Sequence, residues 1–196
     1  MAAGGVPAVT ARALLGVAVA ACAILAGCGG GGAGDASGTR ISGTPVARAG
    51  FTTYRGPGYE LSVPAAQRPF VTQSATGRIS AAWSTPGTGN FVIVAISDPH
   101  PVSFATAVAT ATNAAQTAFH ATTHAVVTAD VPGARAAKLI TASGPHGTGP
   151  YHGLPQRDAN LLVSTRSGAT IDVLVVSHGS GNPDPTAVID SFRLTS

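Results

Sequence analysis

Alternating apolar and polar positions predict β-strands in the first half of the chain. Residues 59–63 alternate large apolar side chains with polar ones and stop at Pro64, a pattern typical of a half-buried strand. Residues 79–83 alternate in the same way, and residues 91–96 form an uninterrupted apolar run rich in β-branched side chains. Because a turn-rich segment at 86–90 separates these two runs, they are predicted to form a hairpin whose second strand is deeply buried.

The pattern changes from strand to helix after residue 101. Apolar residues recur at steps of three and four positions, and Ser103 stands where a helix needs an N-cap. The stripe consists of Phe104, Val108, Ala111, Ala115 and Phe119. We therefore expect a long, alanine-rich helix over residues 102–119, with the stripe facing a sheet.

The second half of the chain returns to strands and closes with a short helix. Residues 134–141 are predicted to form a strand, and residues 161–164 and 171–176 a hairpin whose second strand is central. Asp184 and Pro185 fit the N-cap and the first position of a short C-terminal helix. The aromatic core candidates are Trp83, Phe91, Phe104, Phe119 and Phe192, the last packing back after the helix.

Hairpins around one long helix predict an α+β fold class. The expected architecture is an antiparallel β-sheet built from hairpins, with the long helix and the short C-terminal helix packed on it. A chain of 196 residues has room for one such domain beside an N-terminal segment. Apolar residues make up 44% of the composition, but small ones dominate, so the few aromatic side chains carry much of the predicted core.

The N-terminus has the pattern of a cleavable leader. Arg12 is the only charged residue before an uncharged, largely apolar run over residues 13–25. That run is shorter than the ~20 residues of a membrane-spanning helix and suits the core of a signal peptide, which needs ~7–15. It ends in a segment that resembles the lipobox of bacterial lipoproteins, namely Leu25, Ala26, Gly27 and Cys28.

The lipobox resemblance implies three parts. A signal peptide over residues 1–27 is removed, Cys28 carries a diacylglycerol, and residues 28–50, rich in Gly, Ser and Thr, form a flexible linker before a domain at 51–196. Two or more acyl chains hold a protein stably at a bilayer. We therefore expect the domain at the outer face of the cell membrane, within the cell envelope.

Charge argues against nucleic acid as a partner. Losing Arg12 with the leader leaves ten basic residues against eight acidic ones, a formal charge of +2. The basic residues are scattered, and no Lys/Arg cluster of the kind that neutralises a phosphate backbone occurs in the sequence.

Short segments across the domain resemble the LpqN/LpqT family of actinobacterial lipoproteins. The similar segments are residues 58–64, 90–94, the predicted helix and the tail 184–194. The resemblance implies a fold like the PsbP protein of photosystem II, an antiparallel sheet with a helix on each face. It also implies a binding or assembly module without catalytic residues. The Gly- and His-rich loop at 144–153 departs from the family pattern.

Few residues suggest a catalytic, metal-binding or recognition role. His120 and His124 are four apart and can share one helix face, but two imidazoles fall short of a zinc site, so we predict neither metal nor other cofactor. No nucleophile elbow and no phosphate-binding loop occurs, which argues against an enzyme. A surface recognition loop is the remaining candidate, formed by His146, Tyr151, His152 and Arg157.

These observations leave three functional hypotheses. The first is a lipid-anchored, non-enzymatic module that binds another envelope protein through a sheet edge or loops. The second is a carrier of an apolar or lipid ligand held between the sheet and the helix at 102–119, which requires an apolar cavity there. The third, a hydrolase, requires Ser, His and Asp side chains to converge.

Replacing the proposed acylation site tests the anchoring prediction. We expect Cys28→Ser to prevent lipidation and to release the protein from the membrane fraction, because the acyl chains provide the anchor. Immunoblots of separated membrane and soluble fractions measure this, with Cys22→Ser as the matched control that keeps its membrane association. Equal membrane retention of the Cys28→Ser protein would contradict the prediction.

Overall fold

The fold consists mainly of β-strands. A computed structural model describes residues 38–85, 91–117, 123–145, 153–179 and 181–195, all within one compact unit, Asp35–Ser196. Strands hold 51% of the described residues and helices 14%. The strands are β1 (Thr39–Arg40), β2 (Phe51–Gly56), β3 (Tyr59–Pro64), β4 (Phe70–Gln73), β5 (Ile79–Thr85), β6 (Phe91–Asp98), β7 (Thr123–Asp130), β8 (Ala136–Pro145), β9 (Pro155–Ser164), β10 (Thr170–His178) and β11 (Arg193–Leu194). The helices are α1 (Phe104–Thr117) and α2 (Pro185–Asp190).

The strands form a large sheet and a small sheet. The large sheet has eight strands in the order β1-β7-β8-β9-β10-β6-β5-β4, and the small sheet has three in the order β11-β3-β2. Strands β1 and β7 run parallel, whereas the other neighbours are antiparallel, so the large sheet is mixed. The small sheet and α2 pack on one face of the large sheet, the inner face. Helix α1 lies on the opposite, outer face.

The predicted α+β class is wrong, because the described residues are mostly β and carry only two short helices. Helix α1 has 14 residues and buries only Ala115, so it is not the long packed helix that the apolar stripe predicted. The sheets are larger than predicted because the sequence pattern does not reveal β1, β2, β4 or β7. Many side chains of these strands are exposed, and exposed strands lack the apolar alternation that makes a strand visible in a sequence.

The two predicted hairpins are confirmed. Strands β5 and β6 pair antiparallel, and so do β9 and β10. Strand β10 lies between β9 and β6, in the centre of the large sheet as its apolar run predicted. The strand predicted at 134–141 is β8.

Strand β3 is more buried than its alternation predicts. All six residues are buried, including Glu60 and Ser62, which were expected to face solvent. The hydroxyl of Ser62 accepts the N–H of Val46 at 3.0 Å, and the Ser62 N–H donates to the hydroxyl of Ser191 at 2.9 Å. Glu60 accepts hydrogen bonds from the guanidinium of Arg193. Because long-range partners satisfy these polar groups, their burial is not visible in the local pattern.

Aromatic side chains join the two sheets. The rings of Tyr54 and Trp83 meet edge to face with centroids 4.7 Å apart, and those of Phe51 and Phe91 meet in the same manner at 6.1 Å. Trp83, Phe91 and Phe192 are fully buried, as the sequence predicted for them. Phe104 is only half-buried against the outer face, and Phe119 lies outside the described residues.

The C-terminal helix begins as predicted. The carboxylate of Asp184 accepts the N–H of Thr186 at 2.9 Å, and Pro185 occupies the first helical position. The helix then buries Val188 and Ile189 in the core between the sheets.

The folded unit extends further towards the N-terminus than predicted. Residues 38–50, which the sequence assigns to a flexible linker, contact the domain from Gly38 onward. Ile41 is 2% exposed within the core, and the N–H of Ser42 donates to the carboxylate of Asp190 at 2.7 Å. One buried apolar side chain and a few hydrogen bonds are sufficient to order this segment, although its Gly-rich composition indicates a linker. Residues 28–37 lie outside the described residues.

Truncating the central aromatic residue tests this architecture. We expect Trp83→Ala to lower the free energy of unfolding by ~3–5 kcal/mol, because the indole fills the space between the sheets. Phe70→Ala is the matched control, since its ring is 68% exposed and its loss changes stability little. Chemical denaturation of both variants measures the difference. A Trp83→Ala protein as stable as the parent would contradict the packing described here.

Candidate functional site

Helix α1 covers only part of the outer face. It packs on β7, β8 and β9, where its alanines meet Ile140 and Leu162. The packed residues of the helix are Phe104, Ala107, Val108 and Ala111, beside buried Ala115. Small side chains bring the helix backbone close to the strands, so they fill the interface. Neither of two cavities on the described surface, one beside α2 and one at the start of α1, is lined by Ala107, Ala111 or Ala115.

Beyond α1, the outer face carries a row of apolar side chains across four strands. Register partners on neighbouring strands make up this row. In strand order they are Phe70 on β4, Ala82 on β5, Val94 on β6 and Leu174 on β10. We call these four residues the outer apolar row. Ala82, Val94 and Leu174 are half-buried, and Phe70 is 68% exposed. The row therefore becomes more exposed towards the edge of the sheet.

Strand β4 forms one edge of the large sheet. It pairs with β5 on one side, and no described strand lies on the other. Its four residues are all exposed, with Phe70 at 68% and Val71 at 51%. An edge strand with exposed apolar side chains presents open backbone hydrogen-bonding groups that favour pairing with another strand.

Further along β10 from Leu174, towards its C-terminal end, a polar cluster lies on β9 and β10. The amide of Gln156 donates to both carboxylate oxygens of Asp158, at 3.0 and 2.8 Å. The Nε2 atom of His178 lies 3.1 Å from the amide oxygen of Gln156. Burial raises the pKa of Asp158 to about 6, although the hydrogen bond from Gln156 acts in the opposite direction. These three buried side chains share the outer face because they occupy alternate strand positions.

Asp172 is a second unusual carboxyl group on this face. Burial raises its pKa to about 6, against the opposing effects of the Arg78 charge and a hydrogen bond from Asn160. Its Oδ1 atom is buried without a hydrogen-bond partner among the described residues, and so is the Oδ1 atom of Asn160. A buried acceptor without a partner destabilises the fold unless something else supplies the donor.

The predicted recognition loop is only partly described. His146, Tyr151 and His152 lie outside the described residues, as do Cys28 and the preceding Leu25, Ala26 and Gly27. Arg157 is described on β9, where its guanidinium lies 3.3 Å from the carboxylate of Asp184. The two side chains line a cleft of about 310 Å³ between β7–β9 and the start of α2.

The predicted pairing of two histidines on one helix face is wrong for His124. His124 lies on β7 rather than on α1, and its Nε2 atom is 2.8 Å from the side-chain nitrogen of Gln116. His120 lies outside the described residues. Within the described part of the chain, no three His, Cys, Asp or Glu residues are grouped to hold a metal ion. In the same part, no helix is long and apolar enough to cross a membrane.

Sequence reasoning missed Phe70 and Asp172, and it placed Asp158 in the predicted recognition loop rather than in a buried position. A signal existed for Asp172, since it is the only charged residue in a run of β-branched and leucine side chains at 171–176. A signal also existed for Phe70, because Pro69 directly precedes it and proline within sheets is confined to edge strands, strand starts and bulges. The burial of Asp158 had no local signal.

Comparison with family models and with curated protein sequences yields no relative. The chain matches no protein-family model and none of the curated proteins with which it was compared. The resemblance to LpqN/LpqT lipoproteins stays a prediction, and functional conclusions depend on the surface just described.

The buried carboxyl groups predict how stability depends on pH. Between pH 3.8 and about 6, Asp158 and Asp172 are ionised in the unfolded chain and protonated in the folded one. Folding then takes up protons, so the contribution of these groups to stability falls as pH rises through this window. Above about pH 6, both carboxyl groups are ionised in the folded protein, and the free-energy cost of burying their charge remains.

We expect Asp172→Asn to raise the free energy of unfolding by ~1–3 kcal/mol at about pH 7.5, and by much less at about pH 4. Urea denaturation at both pH values measures the change. Asp184→Ala is a control of opposite sign, because hydrogen bonds from Thr186 lower the pKa of Asp184. Its loss should cost ~1 kcal/mol near pH 7.5. A destabilised Asp172→Asn protein at the higher pH would show that Arg78 fully compensates the charge.

Proposed function

We propose that this protein is a lipid-anchored, non-enzymatic binding module of the cell envelope, which docks an extended segment of a partner protein on β4. The single observation that supports this most strongly is the exposed edge of the large sheet. There, Phe70 and Val71 are more than half exposed on a strand whose outer backbone edge faces no described strand.

Addition of a strand to an open edge gives a simple mode of binding. A partner segment satisfies the free N–H and C=O groups of β4, and alternate side chains then face the same surface as Phe70. The outer apolar row continues from Phe70 to Ala82 and Val94 on the next two strands. A partner with apolar residues at alternate positions can therefore bury Phe70 against this row.

The positive charge around β4 indicates that the partner segment carries acidic residues. Between Gln67 and Arg78 the chain contains two arginines, Arg68 and Arg78, and no acidic residue. An extended segment with acidic residues flanking its apolar positions is complementary to this edge, because opposite charges steer the encounter and fix the register.

The interface beneath α1 favours this hypothesis over carriage of an apolar ligand. A carrier needs an apolar cavity between the helix and the sheet, but the alanines of α1 pack directly on Ile140 and Leu162. The lipid on Cys28 provides attachment in this proposal, and Cys28 lies ten residues before the first described residue, Gly38.

Site-specific photocrosslinking in the native envelope tests the proposal. We expect a benzophenone side chain at position 70 to capture a defined extended segment of one protein, identified by mass spectrometry of the crosslinked peptide. The synthetic peptide should bind the purified protein and protect the β4 amides from hydrogen exchange. Phe70→Lys should weaken this binding at least tenfold, because it removes the apolar contact and places a charged ammonium group where the partner's apolar residues would desolvate it.

Val126→Lys is the matched control, since Val126 is 40% exposed on β7, far from β4 in the strand order. It should leave peptide binding within about twofold of the parent. Crosslinks to lipid alone, or a peptide that binds the Phe70→Lys protein as well as the parent, would refute docking on β4.

A further inference from the structure

A second feature, independent of β4, lies where α1 begins. A cavity of about 450 Å³ opens between the first residues of the helix and the adjacent ends of β8, β9 and β10. Ser103 and Phe104 line it from the helix side, and Arg135, Ser164 and Thr170 line it from the sheet side. Neither the proposed docking strand nor the outer apolar row contributes to it.

The start of α1 offers free hydrogen-bond donors to this cavity. The hydroxyl of Ser103 caps the helix by accepting the N–H of Thr106 at 3.1 Å, and the Ser103 carbonyl accepts the N–H of Ala107 at 3.0 Å. The N–H groups of Phe104 and Ala105 have no partner among the described residues. In a helix of 14 residues, such N–H groups and the aligned peptide dipoles favour an anion.

Two largely buried residues carry hydroxyl groups that point to a ligand independently of the helix. Ser164 is 9% exposed and Thr170 is 6% exposed, and no hydrogen bond joins either hydroxyl to another described residue. The two residues are paired across β9 and β10, and Ser164 is also paired with Ala136 on β8. Their side chains are therefore on the outer face, beneath the start of α1. Neither oxygen is fully enclosed by protein atoms, so both are accessible beside the cavity that the two residues line and can donate to a group that enters it.

Arg135 adds a full positive charge at the rim. Its backbone N–H donates to the carbonyl of Ser164 at 2.8 Å, which fixes the residue beside the cavity. Its guanidinium is exposed and makes no ion pair with a described residue. Asp98 lies beside Thr170 on β6 but does not line the cavity, and its carboxylate accepts the N–H of His100 at 2.9 Å.

We infer that this cavity binds a phosphate-type oxyanion. The site combines two backbone N–H donors, two hydroxyl donors and one guanidinium, and its lining holds no carboxylate. This donor set suits the oxygens of a phosphate group, and Arg135 can contact two of them at once. The same chemistry is present in a soluble phosphate ester and in the headgroup of an anionic phospholipid.

Calorimetric titration of the purified full chain with inorganic phosphate is the first test. We expect saturable binding of one phosphate per chain, about tenfold weaker in both Thr170→Val and Arg135→Gln. Arg166→Gln is the matched control: it removes the same charge from the neighbouring β9–β10 turn, outside the cavity lining, and should stay within about twofold. Asp98→Asn should tighten binding, because it removes a nearby negative charge.

Vesicles distinguish the two sources of phosphate. The second measurement compares binding to phosphatidylcholine vesicles with and without phosphatidylglycerol, for the parent and the Arg135→Gln protein. A phosphatidylglycerol-dependent increase that Arg135→Gln abolishes and Arg166→Gln retains assigns the site to a lipid headgroup. Phosphate binding without that increase assigns it to a soluble ester.

Two results of these measurements would contradict the inference. Absence of both effects, or equal losses in Arg135→Gln and Arg166→Gln, would overturn the inference by showing only diffuse charge attraction. Arg135 is exposed, so its variant keeps the test valid even if Thr170→Val does not fold. Either result leaves docking on β4 untouched, because the two sites share no residue.

Discussion

The aromatic contacts between the two sheets are the interaction on which the rest of the structure depends. The chain has one Trp, three Tyr and six Phe in a composition dominated by small apolar residues. Trp83 and Tyr54 meet across the sheets, as do Phe51 and Phe91, while Tyr59 of the small sheet stacks on Phe192 just before β11, with ring centroids 5.9 Å apart. Each such ring buries far more area than an alanine, so the inner face is where most of the stabilising burial occurs.

Concentrating the large side chains on the inner face leaves the outer face with little to bury. There α1 is held by alanines, and Val94 and Leu174 remain half-buried. Polar residues occupy the same face, including Asp158 and Asp172, whose raised pKa values reflect the burial of a carboxyl group. Both proposed binding surfaces lie on this face or at its edges. This distribution is expected if the inner face provides stability and the outer face is available for interactions.

Local signals in the sequence were sufficient for some elements and insufficient for others. The hairpin of β9 and β10 and the cap of α2 by Asp184 were predictable because turn residues, β-branched runs and caps act within a few positions. The α+β class was wrong, because β4 and β7 are exposed strands that lack the apolar alternation by which a strand is recognised in a sequence. The packing of α1 on the sheet was overestimated because alanine spacing shows periodicity without showing how much area is buried.

The sequence by itself determined which segments form the central strands and where α2 begins, since both depend on neighbouring residues along the chain. It also contained the resemblance to a lipobox at Cys28. Only the tertiary structure decided that Ile41 belongs to the core, that Phe70 stands exposed on an edge, and that the hydroxyls of Ser164 and Thr170 face one cavity. These properties arise when segments far apart in the chain meet, because burial and hydrogen-bond partners are set by the neighbours in space rather than in sequence.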